Sequence, residues 1–401
     1  MELPASTTGE DGRFLGVLNP ELKREFIERA PEILARRLVP AASINSSGDF
    51  MENSRGTCVH FERLGLVLIE GGLKGAGRKY FTQLESERVR RAPTPPVGSA
   101  TETNGSAVNR NDTSTASWGI VATAADKSTK TGKNIKVAIL DSGLDFNHEA
   151  FRGRAQNFQR RSFVSTPVEL DEIGHGTACA SIICGQTVPA TGQQIGVAPG
   201  VDLVVAKIFD VQKQSPDTRT LAALDWAVSQ GCSIVSMSIG DQLLPGSGFS
   251  AVFEAAAMAA FQQNVLLVAG AGNDSRRSLA RFEPVSHPAN CPSIMSVAAL
   301  DRSLQVADFS NQSRNPAGGE MNLAAPGRSI RVAAAHAVLQ RYVLKQGTSL
   351  AVPFVAGIAA LWMESEKGLA GKPLWNKLIA KARSLAPIPG VDVGKGLVQA
   401  P

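Results

Sequence analysis

Three short motifs hold the side chains in this sequence that are best suited to acyl-transfer chemistry. Asp141 begins Asp-Ser-Gly after an apolar run, His175 lies within Gly-His-Gly-Thr, and Ser349 ends Gly-Thr-Ser just before a predicted apolar helix. A serine hydroxyl is a poor nucleophile until a base removes its proton, and that base works best when a carboxylate holds its tautomer. We therefore predict Ser349 as the nucleophile, His175 as the general base and then acid, and Asp141 as the carboxylate that orients His175.

Each motif taken alone also has an ordinary structural explanation. Gly-Thr-Ser would let Ser349 cap the helix that follows, and Asp-Ser-Gly after a strand is usually a turn. Gly-His-Gly-Thr is more specific, because its glycines let backbone and substrate approach the imidazole closely. The other histidines lack such a setting and are predicted to be surface or packing residues: His60, His148, His287 and His336.

The three motifs together, in the chain order Asp, His, Ser, resemble those of the subtilisin-like serine proteases, or subtilases. Further similar segments extend the likeness over residues 118–400, at 118–120, 196–200, 236–240, 309–311 and 325–327. The resemblance implies a serine endopeptidase that hydrolyses peptide bonds through an acyl-enzyme.

The resemblance also assigns residues around the predicted triad. Asn273, which ends the run Val-Ala-Gly-Ala-Gly-Asn, is the implied donor to the oxyanion. The implied substrate-binding residues are Ser238, Ile239, Gly240, Ala271 and Gly272. The first three would pair with the substrate backbone as an added strand. Small, uncharged walls indicate an apolar preference for the residue before the cut, although Asp274 would admit a basic side chain.

Some positions depart from the family pattern. Leu350 stands where the family usually has Met, and Phe354 where it usually has His, but neither residue performs chemistry. Ala150 stands where relatives often have a calcium-binding carboxylate, and the loop 187–194 lacks the usual asparagines. A structural calcium ion is therefore not supported at Ala150, and we predict no metal site and no required cofactor.

Strands and helices alternate beyond residue 117. Strand-like runs lie at 135–140, 203–209, 233–239, 265–269 and 294–299, and helical runs lie at 177–184, 218–229, 250–263, 348–366 and 373–386. Strands this uniformly apolar are buried on both faces, which predicts a doubly wound, mostly parallel α/β sheet with helices on both faces. In such sheets chemistry collects at the carboxyl ends of the strands, and Asp141 and Asn273 each lie just past one.

The region before residue 118 is predicted to form separate units. Residues 1–50 are an N-terminal extension with two short helices, beginning at Pro20 and Pro31. Residues 51–92 contain a strand at 57–70, a Gly-Gly turn and a helix at 77–88. They resemble the subtilase propeptide, a small α/β domain that would act as a cis inhibitor, although an unrelated appendage is the alternative. Residues 93–117, rich in Pro, Ser, Thr and Asn, are a linker to the catalytic domain at 118–401.

Bulk composition excludes several protein classes. The chain has 401 residues, 43% of them hydrophobic and 19% charged, as expected for a globular protein. Its net charge of +5 is mild, so we predict no nucleic-acid partner. No uninterrupted apolar run approaches the roughly 18 residues of a membrane helix, and we predict no membrane partner. The acidic start does not resemble a secretory signal, and the five scattered cysteines form no disulfide or zinc pattern, so a cytoplasmic location is expected.

Two other functions remain open on the sequence alone. A peptide-processing enzyme or macrocyclase would use the same acyl-enzyme with an amine in place of water. A non-catalytic module would keep only the peptide groove, although the complete triad argues against it. In each case the partners would be polypeptides.

Overall fold

The structure is a computed structural model that describes residues 12–44, 50–74, 76–91, 115–243, 247–314, 318–336 and 340–401. Of the predicted linker at 93–117, only residues 115–117 are described. The strands are β1 (Arg13–Leu18), β2 (Arg37–Pro40), β3 (Thr57–Phe61), β4 (Leu66–Glu70), β5 (Phe81–Ser86), β6 (Val89–Arg91), β7 (Lys136–Asp141), β8 (Gln159–Ser162), β9 (Asp202–Lys207), β10 (Gln214–Pro216), β11 (Ile234–Met237), β12 (Leu266–Gly270), β13 (Met295–Leu300), β14 (Leu323–Pro326), β15 (Ile330–Ala333) and β16 (Tyr342–Lys345). The α-helices are α1 (Lys23–Ile33), α2 (Phe50–Asn53), α3 (Trp118–Ala122), α4 (His175–Cys184), α5 (Asp217–Ser229), α6 (Ala251–Gln262), α7 (Thr348–Ser365), α8 (Gly371–Lys381) and α9 (Gly390–Val393).

A seven-stranded sheet in the order β14-β13-β12-β11-β7-β9-β8 forms the centre of residues 115–401, and its neighbouring strands pair in parallel. The predicted fold class is confirmed. Strands β7, β11, β12 and β13 are almost wholly buried, which explains their continuous apolar runs. Helices α4, α7 and α8 pack on one face, and α5 and α6 pack on the other.

Strand β7 lies where the chain changes sides of this sheet. The chain forms β9 on one side of β7 and then crosses to form β11 on the other side. Connections therefore leave the carboxyl ends of β7 and β11 in different directions and open a crevice between them. Asp141 ends β7, and Ser238 follows the end of β11, so the topology brings predicted functional residues to this crevice.

Helix α7 passes through the core beside this crevice. It is long and apolar enough to cross a membrane by length and composition, but 83% of its apolar stretch is buried inside the protein. Its apolar surface is therefore covered by protein, as expected of a core helix in an α/β fold.

The region before residue 92 forms a second sheet, in the order β2-β3-β4-β1-β5. Strand β1 pairs with both β4 and β5, so strands from both sides of residue 50 share one sheet. Residues 12–44 therefore do not form the separate extension that was predicted for 1–50. A sheet needs its interior strand to bury its apolar faces, and β1 supplies that strand from before the predicted boundary.

Three local predictions in this region are wrong. The predicted strand at 57–70 is a hairpin, because Gly65 adopts a φ of +66° and reverses the chain between β3 and β4. The predicted helix at 77–88 is a short 3₁₀ turn followed by β5, an edge strand. The two predicted helices are the single helix α1, in which Pro31 removes one backbone donor shortly before the helix ends at Ile33.

The N-terminal sheet is apolar on both faces, and each face has a different neighbour. Leu66 and Leu68 of β4 join the cluster formed by α5 and α6, whereas Val67 and Ile69 join the cluster formed by α1. Alternate residues of a strand point to opposite faces, which explains the unbroken apolar run in β4. The sheet is thus packed between its own helix and the large domain.

Carboxylates at the end of the N-terminal sheet cap both of these large-domain helices. Glu85 accepts hydrogen bonds from the Ser250 hydroxyl and the Ala251 backbone N–H, each at 2.6 Å, at the start of α6. Glu87 accepts from the Thr218 backbone N–H at 3.2 Å, at the start of α5. The first N–H groups of a helix have no partner within the helix, and a negative charge there is favourable. These contacts fix how the N-terminal sheet sits on the large domain.

We expect Glu85→Ala to lower the free energy of unfolding by about 1–2 kcal/mol, since it removes a charged helix cap. Urea denaturation of the full chain measures this change. Glu32→Ala is the matched control, because the Glu32 side chain is 66% exposed on α1. Equal stability of the two variants would show that the Glu85 contacts contribute nothing to the docking of the sheet.

Candidate active site

Asp141 and His175 meet at the carboxyl end of β7. Asp141 is fully buried, and His175 is the first residue of α4. His175 Nδ1 lies 2.8 Å from Asp141 Oδ1 and 3.0 Å from Oδ2. Because the carboxylate can only accept, Nδ1 carries the proton and Nε2 is left as the basic nitrogen. The structure thus brings together two of the predicted triad residues in the arrangement that orients a base.

The loop around this pair is held by Asp171, which the sequence prediction missed. Asp171 accepts hydrogen bonds from the Ser142 hydroxyl at 2.7 Å and from the Thr177 backbone N–H at 2.8 Å. The Ser142 hydroxyl in turn accepts from the Gly176 N–H at 2.9 Å. A Cβ at Gly176 would lie 2.1 Å from the Gly143 carbonyl oxygen, so only glycine permits this approach. In the sequence, the only sign of this role is that Asp171 is an acidic residue four positions before His175.

Ser349 is the second residue of α7 and is only 5% exposed. Pro353 has no N–H to donate to the Ser349 carbonyl one turn earlier. That carbonyl instead accepts a hydrogen bond of 2.8 Å from the Ser238 hydroxyl, and Cys179 Sγ lies 3.5 Å from it. The contacts that replace the missing helical bond therefore join the first turn of α7 to the segment after β11 and to α4.

Cys179 lies between His175 and Ser349. Its sulfur is 4.0 Å from His175 Nε2 as well as 3.5 Å from the Ser349 carbonyl oxygen. Within the described residues, no hydrogen bond joins His175 to the Ser349 hydroxyl. Such bonds are often long before substrate binds.

Asn273 borders the same space as the Ser349 hydroxyl. Its Oδ1 accepts from the Thr348 backbone N–H at 2.8 Å and from the Thr348 hydroxyl at 3.0 Å. These bonds hold Oδ1 toward Thr348, so Nδ2 is the end of the Asn273 amide that is left for another partner. A Cβ placed on Gly347 would lie 2.9 Å from Ser349 Oγ and 3.6 Å from Asn273 Nδ2, so the two atoms face one small volume. Gly347, with a φ of +149°, leaves that volume open.

The predicted substrate-binding residues lie beyond the ends of β11 and β12. Ser238 and Ile239 are buried, and Gly240 is partly exposed. The Ala271 N–H donates to Val297, and a Cβ at Gly272 would lie 2.1 Å from Ser286 Oγ, which requires glycine there. The residues that line the crevice at Ala271 and Gly272 therefore have small side chains or none.

Asp274, predicted to admit a basic side chain, already has polar partners. Its carboxylate accepts from Asn311 Nδ2 at 3.1 Å, and its backbone N–H donates to Asn311 Oδ1 at 2.9 Å. These bonds turn Asp274 toward Asn311. Asp274 is therefore a poor candidate for the recognition of a basic side chain.

The charge of Asp141 controls the protonation of His175. Burial lowers the pKa of His175, but the neighbouring Asp141 carboxylate more than offsets burial, and the pKa lies well above 6.5. Burial raises the pKa of the Cys179 thiol, so this cysteine is neutral at physiological pH. The pair therefore favours an imidazolium once His175 has taken a proton.

The donor atoms of Asp141, His175 and Cys179 lie within 4.8 Å of one another, and a soft metal ion could bridge them. Such an ion would block the basic nitrogen of His175. Ala150 is buried in a short 3₁₀ turn and offers no carboxylate. The absence of a required cofactor stays a prediction. The five cysteines of the chain are free and buried.

Comparisons with known proteins agree with this architecture. A family profile described as "Subtilase family" matches residues 132–396. Subtilisin E of Bacillus subtilis (strain 168) is 30% identical over 271 residues, which are 67% of this chain and 65% of subtilisin E. Subtilisin DY of Bacillus licheniformis is 30% identical over 290 residues, covering 71% of this chain and 97% of the relative. The subtilisin-like proteinase Mp1 of Magnaporthiopsis poae is 33% identical over 242 residues, covering 58% of this chain and 54% of the relative.

A doubly wound parallel sheet with an Asp–His pair beside a helix-initiating serine defines a subtilisin-like α/β protein. The chain belongs to the subtilase family. It spans 65% of the length of subtilisin E.

We expect the His175 imidazole to titrate with a midpoint above pH 6.5, since Asp141 stabilises its protonated form. Asp141→Asn removes the charge, and the midpoint should then move to lower pH. NMR titration of the His175 ring in the full chain measures both values, and Asp126→Asn at an exposed position is the control. A midpoint that is unchanged by Asp141→Asn would remove Asp141 as the cause of the raised pKa.

Proposed function

We propose that this chain is a serine endopeptidase that hydrolyses peptide bonds through an acyl-enzyme. The observation that carries the proposal is the contact of His175 Nδ1 with both oxygens of the buried Asp141, next to the volume shared by Ser349 Oγ and Asn273 Nδ2. Nucleophile, base, orienting carboxylate and oxyanion donor are thereby available on one crevice. The membership in the subtilase family supports the same activity.

In the first half of the reaction, His175 Nε2 takes the Ser349 Oγ proton while Oγ attacks the carbonyl carbon of the substrate. The carbonyl π electrons move to oxygen, and the resulting negative charge lies in the volume that Asn273 Nδ2 borders. The Ser349 backbone N–H faces the same volume, 3.8 Å from the position of a Cβ on Gly347. Donors at a helix N-terminus stabilise this charge without reorganisation.

The intermediate collapses when the carbon–nitrogen bond breaks and the imidazolium gives its proton to the leaving amine. The product is an ester between Ser349 and the acyl part of the substrate. Water, deprotonated by His175, then attacks this ester. The bond from carbon to Ser349 Oγ breaks, and the imidazolium returns its proton to Oγ as the acid is released. Asp141 keeps its charge throughout and stabilises each imidazolium state.

The test of this proposal is Ser349→Ala. A fluorophosphonate probe should label the wild-type chain at Ser349 and should not label the variant, because the probe requires the activated hydroxyl. Hydrolysis of a peptide mixture, followed by mass spectrometry, should fall by roughly 10⁶-fold, the size found for nucleophile loss in subtilisin. Ser303→Ala, at an exposed turn, is the control.

Undiminished hydrolysis by Ser349→Ala would remove the proposed nucleophile. Absence of both labelling and turnover in the wild type would favour a non-catalytic peptide-binding module. Ligated or cyclic products would indicate an amine acceptor in place of water.

We also propose that the N-terminal region inhibits this site in cis. Strand β6 pairs antiparallel with β10. The chain forms β10 after it has left the carboxyl end of β9 in the central sheet. The β6 backbone pairs with β10 rather than with 238–240, and residues 92 and 93, which follow β6, lie outside the described residues. Arg90 nevertheless reaches Asp241, the residue after Gly240. The segment therefore occupies an edge that a substrate strand would use.

We expect Arg90→Ala to speed fluorophosphonate labelling of the full chain, because it weakens the pairing of β6 with β10. Arg24→Ala is the control, since the Arg24 side chain is 92% exposed in the same region. The wild type should also become trimmed between about residues 90 and 117, whereas Ser349→Ala stays intact by mass spectrometry. Equal labelling rates for both arginine variants and the wild type would show that the segment does not restrain the site.

A further inference from the structure

The Arg90 side chain occupies a buried acidic pocket on the large domain, which we define by Asp217, Asp241 and His287. Arg90 Nε donates to Asp217 Oδ1 at 2.7 Å, and Nη2 donates to Asp217 Oδ2 at 3.3 Å. Nη1 reaches Asp241 Oδ2 at 3.3 Å. The side chains of Arg90 and Asp217 are 8% and 5% exposed. All three guanidinium nitrogens thus have carboxylate partners, of which Asp217 is buried and Asp241 is 41% exposed.

The pocket is part of the large domain and lies on the same edge of the sheet as the predicted triad. Asp217 follows β10 directly as the first residue of α5. Asp241 follows the predicted substrate-pairing segment 238–240 and is joined to His287 by two backbone hydrogen bonds of 2.9 and 3.1 Å. Arg219 holds the loop before β10 through the carbonyl oxygen of Gln214, at 2.9 Å. The pocket side chains all belong to the large domain, and the N-terminal region also contacts the pocket backbone, since the Asp217 N–H donates to the Arg88 carbonyl oxygen at 2.8 Å and β6 pairs with β10.

The pairing register determines which residue of an added strand reaches this pocket. Arg90 lies opposite Ser215, and the neighbouring Val89 lies opposite Pro216. The Arg90 side chain is buried, whereas Val89 is 52% exposed, as expected for alternation along a strand. Any strand that pairs with β10 in this register places one side chain, the one opposite Ser215, between Asp217 and Asp241.

The charged form of the buried Asp217 carboxylate is destabilised unless a cation pairs with it. Burial raises the pKa of Asp217 to about 6, although Arg90 acts to lower it. When Arg90 leaves, Asp217 loses this partner, and a new cation regains the interaction. His287 does not compete for this role, because burial holds its pKa well below 6.5 and keeps it neutral. His287 Nε2 has no hydrogen-bond partner among the described residues.

The geometry favours arginine over lysine. The two-point contact of the Arg90 guanidinium with Asp217, together with the third contact to Asp241, uses the fixed fork of donors that only arginine has. An ammonium group would meet the same carboxylates as a single point charge.

We infer that this pocket is a specificity site that selects polypeptide substrates with an arginine upstream of the bond to be cut, at the residue paired with Ser215. The inference rests on the proposed peptidase function, and it names the substrate feature that the N-terminal segment imitates. Arg90 would then act as the built-in occupant of a substrate site, which an arginine of the substrate replaces once β6 has left β10.

The test uses the full chain as purified, together with Arg90→Ala, Asp217→Asn and Asp241→Asn. A peptide library analysed by mass spectrometry should show arginine enriched at one fixed position upstream of the cut. Replacing that arginine by citrulline, which keeps its shape but not its charge, should lower kcat/KM by about tenfold or more. Replacement by lysine should give an intermediate value.

In the Arg90→Ala background, Asp217→Asn should bring the arginine-to-citrulline ratio close to one by lowering kcat/KM for the arginine peptide more than for the citrulline peptide. Asparagine keeps an acceptor for the Arg88 N–H that Asp217 binds at 3.3 Å, and fluorophosphonate labelling checks that the variant is folded. Asp241→Asn should reduce the ratio by a smaller factor, because the Asp241 side chain is 41% exposed. Asp202→Asn, at an exposed strand end, should keep the wild-type ratio.

The two proposals fail in different ways. Labelled and active enzyme without an upstream arginine preference overturns the specificity site alone, as does an equal loss of both peptides in Asp217→Asn. Absence of labelling and cleavage in the wild type and in Arg90→Ala overturns the peptidase function and the specificity site together.

Discussion

A buried carboxylate must be paired or hydrogen-bonded, and this constraint organises the crevice at the end of the sheet. Asp141 has no exposed surface, and the desolvation of its charge is offset by His175 and by the Ser142 backbone N–H at 2.7 Å. Gly176 permits α4 to begin close to the end of β7, because a Cβ there would lie 2.1 Å from the Gly143 carbonyl oxygen. Orientation of the imidazole is therefore a consequence of neutralising Asp141, and the same pairing raises the pKa of His175.

Asp217 meets the same constraint with a partner from another part of the chain. Its cation is Arg90 of the N-terminal region, so the burial of this carboxylate depends on a segment that can be replaced. Under the two proposals made above, one acidic pocket would serve both the docking of an inhibitory segment and the selection of a substrate, since each role needs a strand on β10 with an arginine opposite Ser215.

At the start of α7, the backbone donor that Pro353 lacks is replaced by contacts from other elements. Pro353 leaves the Ser349 carbonyl without its helical partner, and Ser238 and Cys179 contact that carbonyl instead. The nucleophile candidate is thereby fixed relative to the segment after β11 and to α4. Thr348 performs a similar task for Asn273, whose amide would otherwise be free to turn over. Together these bonds position the site before any substrate is present.

The sequence by itself determined the parallel sheet, because buried strands require continuous apolar runs, and its local motifs predicted Asp141, His175, Ser349 and Asn273 as site residues. It misread β5 as a helix and divided the N-terminal sheet at residue 50, because strand pairing between β1, β4 and β5 is not encoded by local periodicity. It also missed Asp171 and the pocket around Arg90, and it allowed Asp274 to admit a basic side chain, although Asp274 is engaged by Asn311. Only the tertiary structure decided these points, because the energetic effect of a charge depends on its burial and on partners that are distant in the chain. Arg90 and Asp217, for example, are 127 residues apart.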